Sequence, residues 1–385
     1  MKQPTYYIQT YGCQMNKADS ERIAADLENR GYSAASDWTN CDLLVINTCS
    51  IRQRAEDRIR SFIHKVTAFY QARQLPKPHL ILTGCMIHHT AEKLRQMEPT
   101  IDEVLDISEV GFSITPKRTN QRHAFVPISS GCNSFCTYCI VPYARGREMS
   151  RSFGEIMAEI EKLAQDGFEE ITLLGQNVNS WGLEKVGVSL RKLLLHDPNF
   201  TREQLPTNQS QYLKPNGIPP FVKLLQTISQ IDPIKVIRFI SPNPWDFHDE
   251  LIEEIITNQK IDRYVHLPVQ SGSNSVLARM NRGYTREDYL KIVTKLQAGD
   301  PKIVLGTDLI VGFPQETEAE FQDTVELAKE VNWQVGFVNK YSPRPGTVAS
   351  RLYKDDVPDQ VKDQRWHLLD RIINQPHFAH RPKVV

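Results

Sequence analysis

The chain has 385 residues, with 40% hydrophobic and 24% charged side chains, enough for two or three ordinary globular domains. No run approaches the ~20 apolar residues that cross a bilayer, and the polar start passes directly into an alternating segment without a secretory pattern; no membrane segment is expected, and the expected location is cytoplasmic. Lys plus Arg and Asp plus Glu are both 46, which speaks against a protein that coats nucleic acid throughout but leaves room for a local basic site.

The first 115 residues read as alternating strands and helices. Residues 6–10 are β-rich, 18–29 have helical spacing with Gly31 as a stop, and 43–46 form a continuous apolar strand of the kind buried on both faces of a parallel sheet. A charged helix over 54–72, a strand over 80–82 and a helix over 90–97 follow. This alternation predicts an α/β, doubly wound (flavodoxin-like) N-terminal domain over 1–115. Residues 116–123 read as a polar, basic linker. From 124 to 350, strands at 125–128, 171–174, 236–240, 264–267, 303–310 and 334–339 alternate with helical patterns at 153–165, 221–231, 246–257, 286–297 and 318–331, which predicts a partial (βα)6 barrel. An irregular, Asn-, Gln- and Pro-rich insertion is expected over 183–218, and a helical tail, with a helix near 360–373, over 351–385.

Seven cysteines, an odd number, argue against a disulfide framework in a reducing compartment. Cys13, Cys49 and Cys85 each follow a strand of the N-terminal domain. Carboxyl-end loops of a parallel sheet gather on one edge, where ligands bind, so these three converge there or, alternatively, are three small buried hydrophobes. Cys41 precedes its strand and lies at the other end.

Cys132, Cys136 and Cys139 form a C-x3-C-x2-C loop directly after the first barrel strand. Three local thiolates can hold three irons of a cubane cluster and leave the fourth open to an exogenous ligand. Zinc is the alternative, but structural zinc takes four ligands, and no local fourth Cys or His completes the set. A loop at a strand's carboxyl end is also where βα barrels do chemistry.

Tyr138, before the last of these cysteines, completes a motif that resembles the radical S-adenosylmethionine (SAM) superfamily. The longer string from Gly131 to Arg151 resembles the methylthiotransferases within it. Supporting strings are Tyr11-Gly12-Cys13-Gln14-Met15-Asn16, Asn47-Thr48-Cys49-Ser50-Ile51-Arg52, Thr83-Gly84-Cys85-Met86, Leu174-Gly175-Gln176-Asn177, His266-Leu267-Pro268-Val269-Gln270-Ser271-Gly272 and Tyr341-Ser342-Pro343-Arg344-Pro345-Gly346-Thr347. The resemblance runs from about residue 6 to 347. It implies two [4Fe–4S] clusters, with Cys132, Cys136 and Cys139 carrying the one that cleaves SAM to a 5′-deoxyadenosyl radical. Cys13, Cys49 and Cys85 would carry an auxiliary cluster that delivers sulfur. The implied reaction inserts a methylthio group at carbon 2 of N6-isopentenyladenosine at tRNA position 37. The alternatives are a threonylcarbamoyladenosine of tRNA, an aspartate of a ribosomal protein, or a non-catalytic Fe–S RNA-binding role. The implied partners of a monomeric enzyme are the tRNA anticodon stem-loop and an electron donor such as flavodoxin or ferredoxin. The family usually ends in a small β-barrel RNA-binding module, TRAM, and no strand-rich run follows the expected final helix, so that module is expected to be absent or truncated.

By position, Tyr138, Gln176, Asn177, Ser241 and Gln270 are candidate SAM or substrate contacts; ordinary strand-end capping is the other reading. Asp308 lies within the fifth barrel strand, where Lys340 or Arg238 would be its partner if it is structural. Arg145, Arg147 and Arg151, with Arg118 and Arg122, are candidate tRNA phosphate contacts, the alternative being a solvated face paired with Glu148. Gln315 stands where the family pattern has Gly, which puts a turn near the barrel mouth in question.

Overall fold

A computed structural model describes residues 3–50, 53–112, 114–183 and 217–378; most of the expected 183–218 insertion lies outside them. The chain divides into two compact units. Unit 1 comprises Met1–Pro127 and Ile140–Arg147, and unit 2 comprises Ile128–Cys139 and Glu148–Val385.

In unit 1, β1 (Thr5–Thr10), β2 (Ser33–Ala34), β3 (Leu43–Thr48), β4 (His79–Gly84) and β5 (Glu103–Val104) form one parallel sheet in the order β2-β1-β3-β4-β5. This is the doubly wound, flavodoxin-like order, whose switch point lies between β1 and β3. Every residue of β3 is buried because helices cover both faces. Leu44, Ile46, Leu80 and Leu82 pack on α2 (Gln53–Ala72) through Ile59, Ile63 and Val66. Leu43, Val45 and Ile81 pack on α1 (Gln14–Asn29) through Ile23 and Leu27, and on α4 (Ile107–Val110). Between these helices α3 spans Ala91–Met97. The basic segment expected to link two domains is bound down in this unit. Lys117 N–H donates to the Glu21 carbonyl, and Arg118 pairs with the Glu21 carboxylate at 3.2 Å before the strand β6 (His123–Pro127).

In unit 2, a short antiparallel pair, β7 (Ser129–Ser130) and β8 (Met149–Ser150), brackets the cysteine loop. Between them the short helix α5 (Val141–Ala144) belongs to unit 1. After α6 (Phe153–Gln165), strands β9 (Glu170–Leu174), β10 (Val236–Phe239), β11 (Tyr264–His266), β12 (Val304–Val311) and β13 (Val335–Lys340) follow one another in parallel. A parallel bridge from Ile237 to Ile261 joins the β9–β10 pair to the β11–β12–β13 sheet. Ile128 N–H adds to the β9 edge by donating to the Leu174 carbonyl. The intervening helices are α7 (Pro220–Ser229), α8 (Asp249–Thr257), α9 (Asn274–Arg279), α10 (Arg286–Gly299) and α11 (Glu318–Val331). Capping boxes on α6, α10 and α11 fix where these helices start. After α12 (Val348–Leu352), α13 (Asp359–Ile373) packs on β13 and α11, with Asn374 exchanging hydrogen bonds with Gly336. The arrangement is the expected partial barrel. No helix among the described residues is long and apolar enough to cross a membrane.

Candidate cluster sites and the barrel strand ends

The cysteines of unit 1 stand at the carboxyl edge of its sheet. Cys13 follows β1 and caps α1, Cys49 follows β3, and Cys85 follows β4 and opens a single 3-10 turn. Two glycines let them approach. Gly12 has φ +119°, and a Cβ there would meet the Cβ of Cys49 at 3.0 Å; Gly84 has φ +88°, and a Cβ there would overlap the Thr48 carbonyl. Asn16, wholly buried one turn into α1, ties the edge together. Its Nδ2 donates to the Thr48 carbonyl and to Asn47 Oδ1, both at 2.8 Å, and its Oδ1 accepts from the Cys13 thiol at 3.4 Å.

Arg145 completes this edge. Its side chain is 2% exposed, and Nη2 pairs with Asp19 Oδ2 at 2.8 Å and donates to Asn16 Oδ1 at 3.4 Å. Its charge acts on the thiols of both Cys85 and Cys13. Burial pushes the Cys13 thiol up, while the Arg145 charge opposes that shift. The Thr83 hydroxyl, two residues before Cys85, is buried without a hydrogen-bond partner.

The loop of unit 2 is held from one side by the turn after α9. Thr137 N–H and hydroxyl donate to the carbonyls of Met280 and Arg279, and Asn281 Nδ2 donates to the Phe135 carbonyl at 3.2 Å. Arg282 Nη1 donates to the Cys136 sulfur at 3.3 Å, and its other nitrogens bind the Tyr284 hydroxyl and the Pro268 carbonyl. Phe135 holds φ +44°, a strained conformation for a bulky residue. Cys132 and Cys136 are buried and Cys139 is partly exposed. Burial, then the neighbouring Cys136, pushes the Cys132 thiol up to about 11. The Tyr138 ring packs beside Val276, Met280, Phe313 and Tyr341, and burial raises its phenol well above its ordinary value.

Among the described residues no three His, Cys, Asp or Glu side chains close on a single metal-ion position. A cubane cluster gives each thiolate its own iron, so its ligands stand wider than those of one ion. Both donor sets are all-thiol, matching the soft ligands such clusters take. Raised thiols must lose protons when iron binds; Arg282 donates to one sulfur of the barrel trio, and the Arg145 charge acts on two thiols of the other.

Past the barrel strands, Gln176 is half-buried. Asn177 is buried, with Nδ2 on the Ser180 hydroxyl and Oδ1 without a partner. The Ser129 hydroxyl is also buried and unpartnered, beside Gly175, where a Cβ would come within 2.7 Å of it. Ser241 and Gln270 hold φ +60° and +74°. The Ser241 carbonyl accepts from Val178, and Gln270 bridges to β12 around Asp308. Such left-handed strand ends concentrate where binding over-determines the backbone. Asp308 pairs with neither Lys340 nor Arg238. It accepts from His266 Nε2 at 2.7 Å, while Nδ1 of that ring meets the Tyr264 hydroxyl at 2.9 Å. Arg238 instead joins Glu170 and Asp262, and Lys340 joins Asp363.

The basic run requires correction. Arg145 is sealed against Asp19, and Arg151 is 7% exposed and paired with Glu159 at 2.5 Å. Neither guanidinium is free to reach a phosphate. Arg118 is likewise engaged by Glu21, whereas Arg147 is exposed. Arg282, Asn16 and Asp19 were not singled out from the sequence. Asn16 stands three residues after Cys13 within one of the quoted strings, which was its only local signal.

A family profile described as Radical SAM superfamily matches residues 126–328, and one described as Uncharacterized protein family UPF0004 matches residues 5–106. The tRNA-2-methylthio-N(6)-dimethylallyladenosine synthase of Clostridium botulinum (strain Langeland) is 37% identical, covering 96% of this chain and 81% of that protein. Those of Caldicellulosiruptor saccharolyticus and Protochlamydia amoebophila are each 38% identical, covering 97% and 98% of this chain and 79% and 82% of theirs. Among solved structures, the radical S-adenosylmethionine methyltransferase TsrM from Kitasatospora setae superimposes with a TM-score of 0.57 at 14% identity, covering 91% of this chain and 77% of that one. The cobalamin-dependent S-adenosylmethionine radical enzyme OxsB superimposes with a TM-score of 0.54 at 10% identity, covering 96% and 56%. These two likenesses carry the fold, and the sequence relatives carry the chemistry: the chain belongs to the tRNA methylthiotransferases of the radical SAM superfamily.

Proposed function

We propose that this enzyme places a methylthio group on carbon 2 of N6-isopentenyladenosine at tRNA position 37, beside the anticodon. What carries the reading is one thiol trio at the strand ends of each unit, in a chain 37–38% identical over nearly its whole length to synthases named for that product. Cys132, Cys136 and Cys139 would hold a [4Fe–4S] cluster that binds SAM, and Cys13, Cys49 and Cys85 an auxiliary [4Fe–4S] cluster. When bound, these groups supply the electron, the radical and the sulfur that an inert C–H bond demands.

The chain's own residues orient and shield. Arg282 and Asn281 fix the loop that presents the barrel thiols, and Asn16 and Arg145 do the same in unit 1. The unpartnered Asn177 Oδ1 and Ser129 hydroxyl are ready polar contacts for SAM, and Gln176, Ser241, Gln270 and Tyr138 would add to them. Anticodon-loop bases are read splayed from the stack, and Arg147, which is exposed, would hold a phosphate there. The working form is a monomer served by a small one-electron donor such as flavodoxin or ferredoxin.

Nucleoside mass spectrometry of tRNA from a deletion strain tests this. Wild-type chain should restore 2-methylthio-N6-isopentenyladenosine, and Cys→Ala replacement of either trio should abolish it. Restoration of a threonylcarbamoyladenosine derivative instead would move the substrate to the other branch.

A further inference from the structure

We propose that Arg145 is a positioning residue for the sulfur-delivering cluster, setting its reduction potential through a buried positive charge beside its ligand set. This rests on the reading that Cys13, Cys49 and Cys85 hold a cluster.

Asp19 is completely buried and shared by two guanidiniums: Arg22 at 2.5 Å on one carboxylate oxygen and Arg145 at 2.8 Å on the other. Arg22 is spent on structure, donating to the Gly111 carbonyl at 2.6 Å and stacking over Phe112. One carboxylate shared in this way does not by itself neutralise both guanidiniums. Burying ions costs several kcal/mol unless each is compensated, so an anion beside Arg145 is favoured. Three thiolates on a dipositive cubane core leave a single negative charge, the right complement. Arg145 stands where that charge would lie, sharing Asn16 Oδ1 with the Cys13 thiol, and its charge acts on Cys85.

A cation beside cluster sulfurs favours the reduced state, which carries one more electron and breaks no bond. Arg145 is also brought to this site by the segment that directly follows Cys139 in sequence, so the barrel loop and the neighbourhood of the other trio are adjacent along the chain.

The test uses the full chain with Cys132, Cys136 and Cys139 replaced by Ala, reconstituted anaerobically and titrated with dithionite under electron paramagnetic resonance. Arg145→Gln should retain about four irons. Its reduced-to-oxidised ratio at the parent midpoint should fall roughly tenfold, a one-electron shift of about 59 mV to more negative potential. Arg145→Lys should recover most of that shift. Full iron with an unmoved midpoint in Arg145→Gln would show that the arginine only pins its segment, and overturns the proposal. If Arg145→Gln does not assemble a cluster, Arg145→Met, which also removes the charge and leaves Asp19 paired with Arg22, carries the same comparison. An unmoved midpoint there overturns the proposal equally, as does failure of every Arg145 variant, Arg145→Lys included, to hold the iron that the parent holds. Absence of iron from the parent itself would sink the auxiliary-cluster reading instead, a distinguishable result.

Discussion

Arg282 reaches the sulfur of Cys136 at 3.3 Å across 146 positions of sequence. The guanidinium is half-buried, stacked over Tyr284, and locked by the Pro268 carbonyl; Gly283 beside it leaves no room for a side chain against Trp245. A hydrogen bond to a charged acceptor contributes about 1.5–3 kcal/mol. Arg282→Ala should therefore weaken iron retention at the barrel site by roughly ten- to hundredfold, read as iron lost against a graded chelator, while iron at the N-terminal trio stays. Equal retention by Arg282→Ala and wild type would mean the contact does not hold the thiolate.

Asn177 presents an unpartnered oxygen at the carboxyl end of β9. Asn177→Ala should raise the SAM dissociation constant about tenfold, the value of one good hydrogen bond, in equilibrium dialysis of reconstituted protein. Iron content should be unchanged, because the hydrogen bond described for that side chain goes to Ser180.

Gly84 holds φ +88° against the Thr48 carbonyl and Asn47. Gly84→Ala has both a conformational and a steric penalty, so a loss of about 2 kcal/mol or more is expected in urea unfolding. Iron bound by the N-terminal trio should fall with it, since Cys85 is the next residue. Stability within a few tenths of a kcal/mol of wild type would contradict the packing described.

Glu320 joins α11 to α9: burial alone would raise its carboxyl, but two bonds from Arg279 at 2.9 Å, the Ser275 hydroxyl and the Thr317 N–H hold it down to about 2. The folded value lies below the unfolded one near 4.5. Its contribution is thus present above about pH 4.5 and lost as pH falls toward 2. Glu320→Gln should destabilise the protein at neutral pH and flatten the acid limb of its stability profile over that window.

Arg147 is the exposed member of the basic run. Arg147→Ala should lower tRNA affinity and reduce the slope of log affinity against log salt by about one. Substituting Arg151 should change thermal stability more than salt slope, because its partner is Glu159.

Much of this was written into local sequence. The apolar run of β3 and the C-x3-C-x2-C loop declared a buried strand and a thiol loop through periodicity and spacing; the strand–cysteine junctions put three thiols at one sheet edge, and only the family resemblance made them a cluster site. The start of α1 was not legible: helical spacing begins at Ala18, whereas the helix begins at Gln14, since Asn16 is buried for hydrogen bonding rather than for apolar packing. The basic run misled because an arginine's burial depends on an acid far away in sequence; Asp19 stands 126 positions before Arg145. Gln315 adopts φ +64°, the conformation that a glycine there would supply. Its N–H is held by Asp356, so the turn survives the substitution through a partner 41 residues on.

Unit 1 is discontinuous: residues 140–147 complete what residues 1–127 begin. During synthesis the ribosome delivers the whole C-x3-C-x2-C loop before the last piece of the first folding body emerges. A nascent chain ending at Pro127 has Asp19 without its second guanidinium and Cys85 without the α5 segment that packs beside it. Domains ordinarily fold in the order they are made; here the first finishes only after the second has started, and maturation of the N-terminal thiol site waits on translation past residue 147.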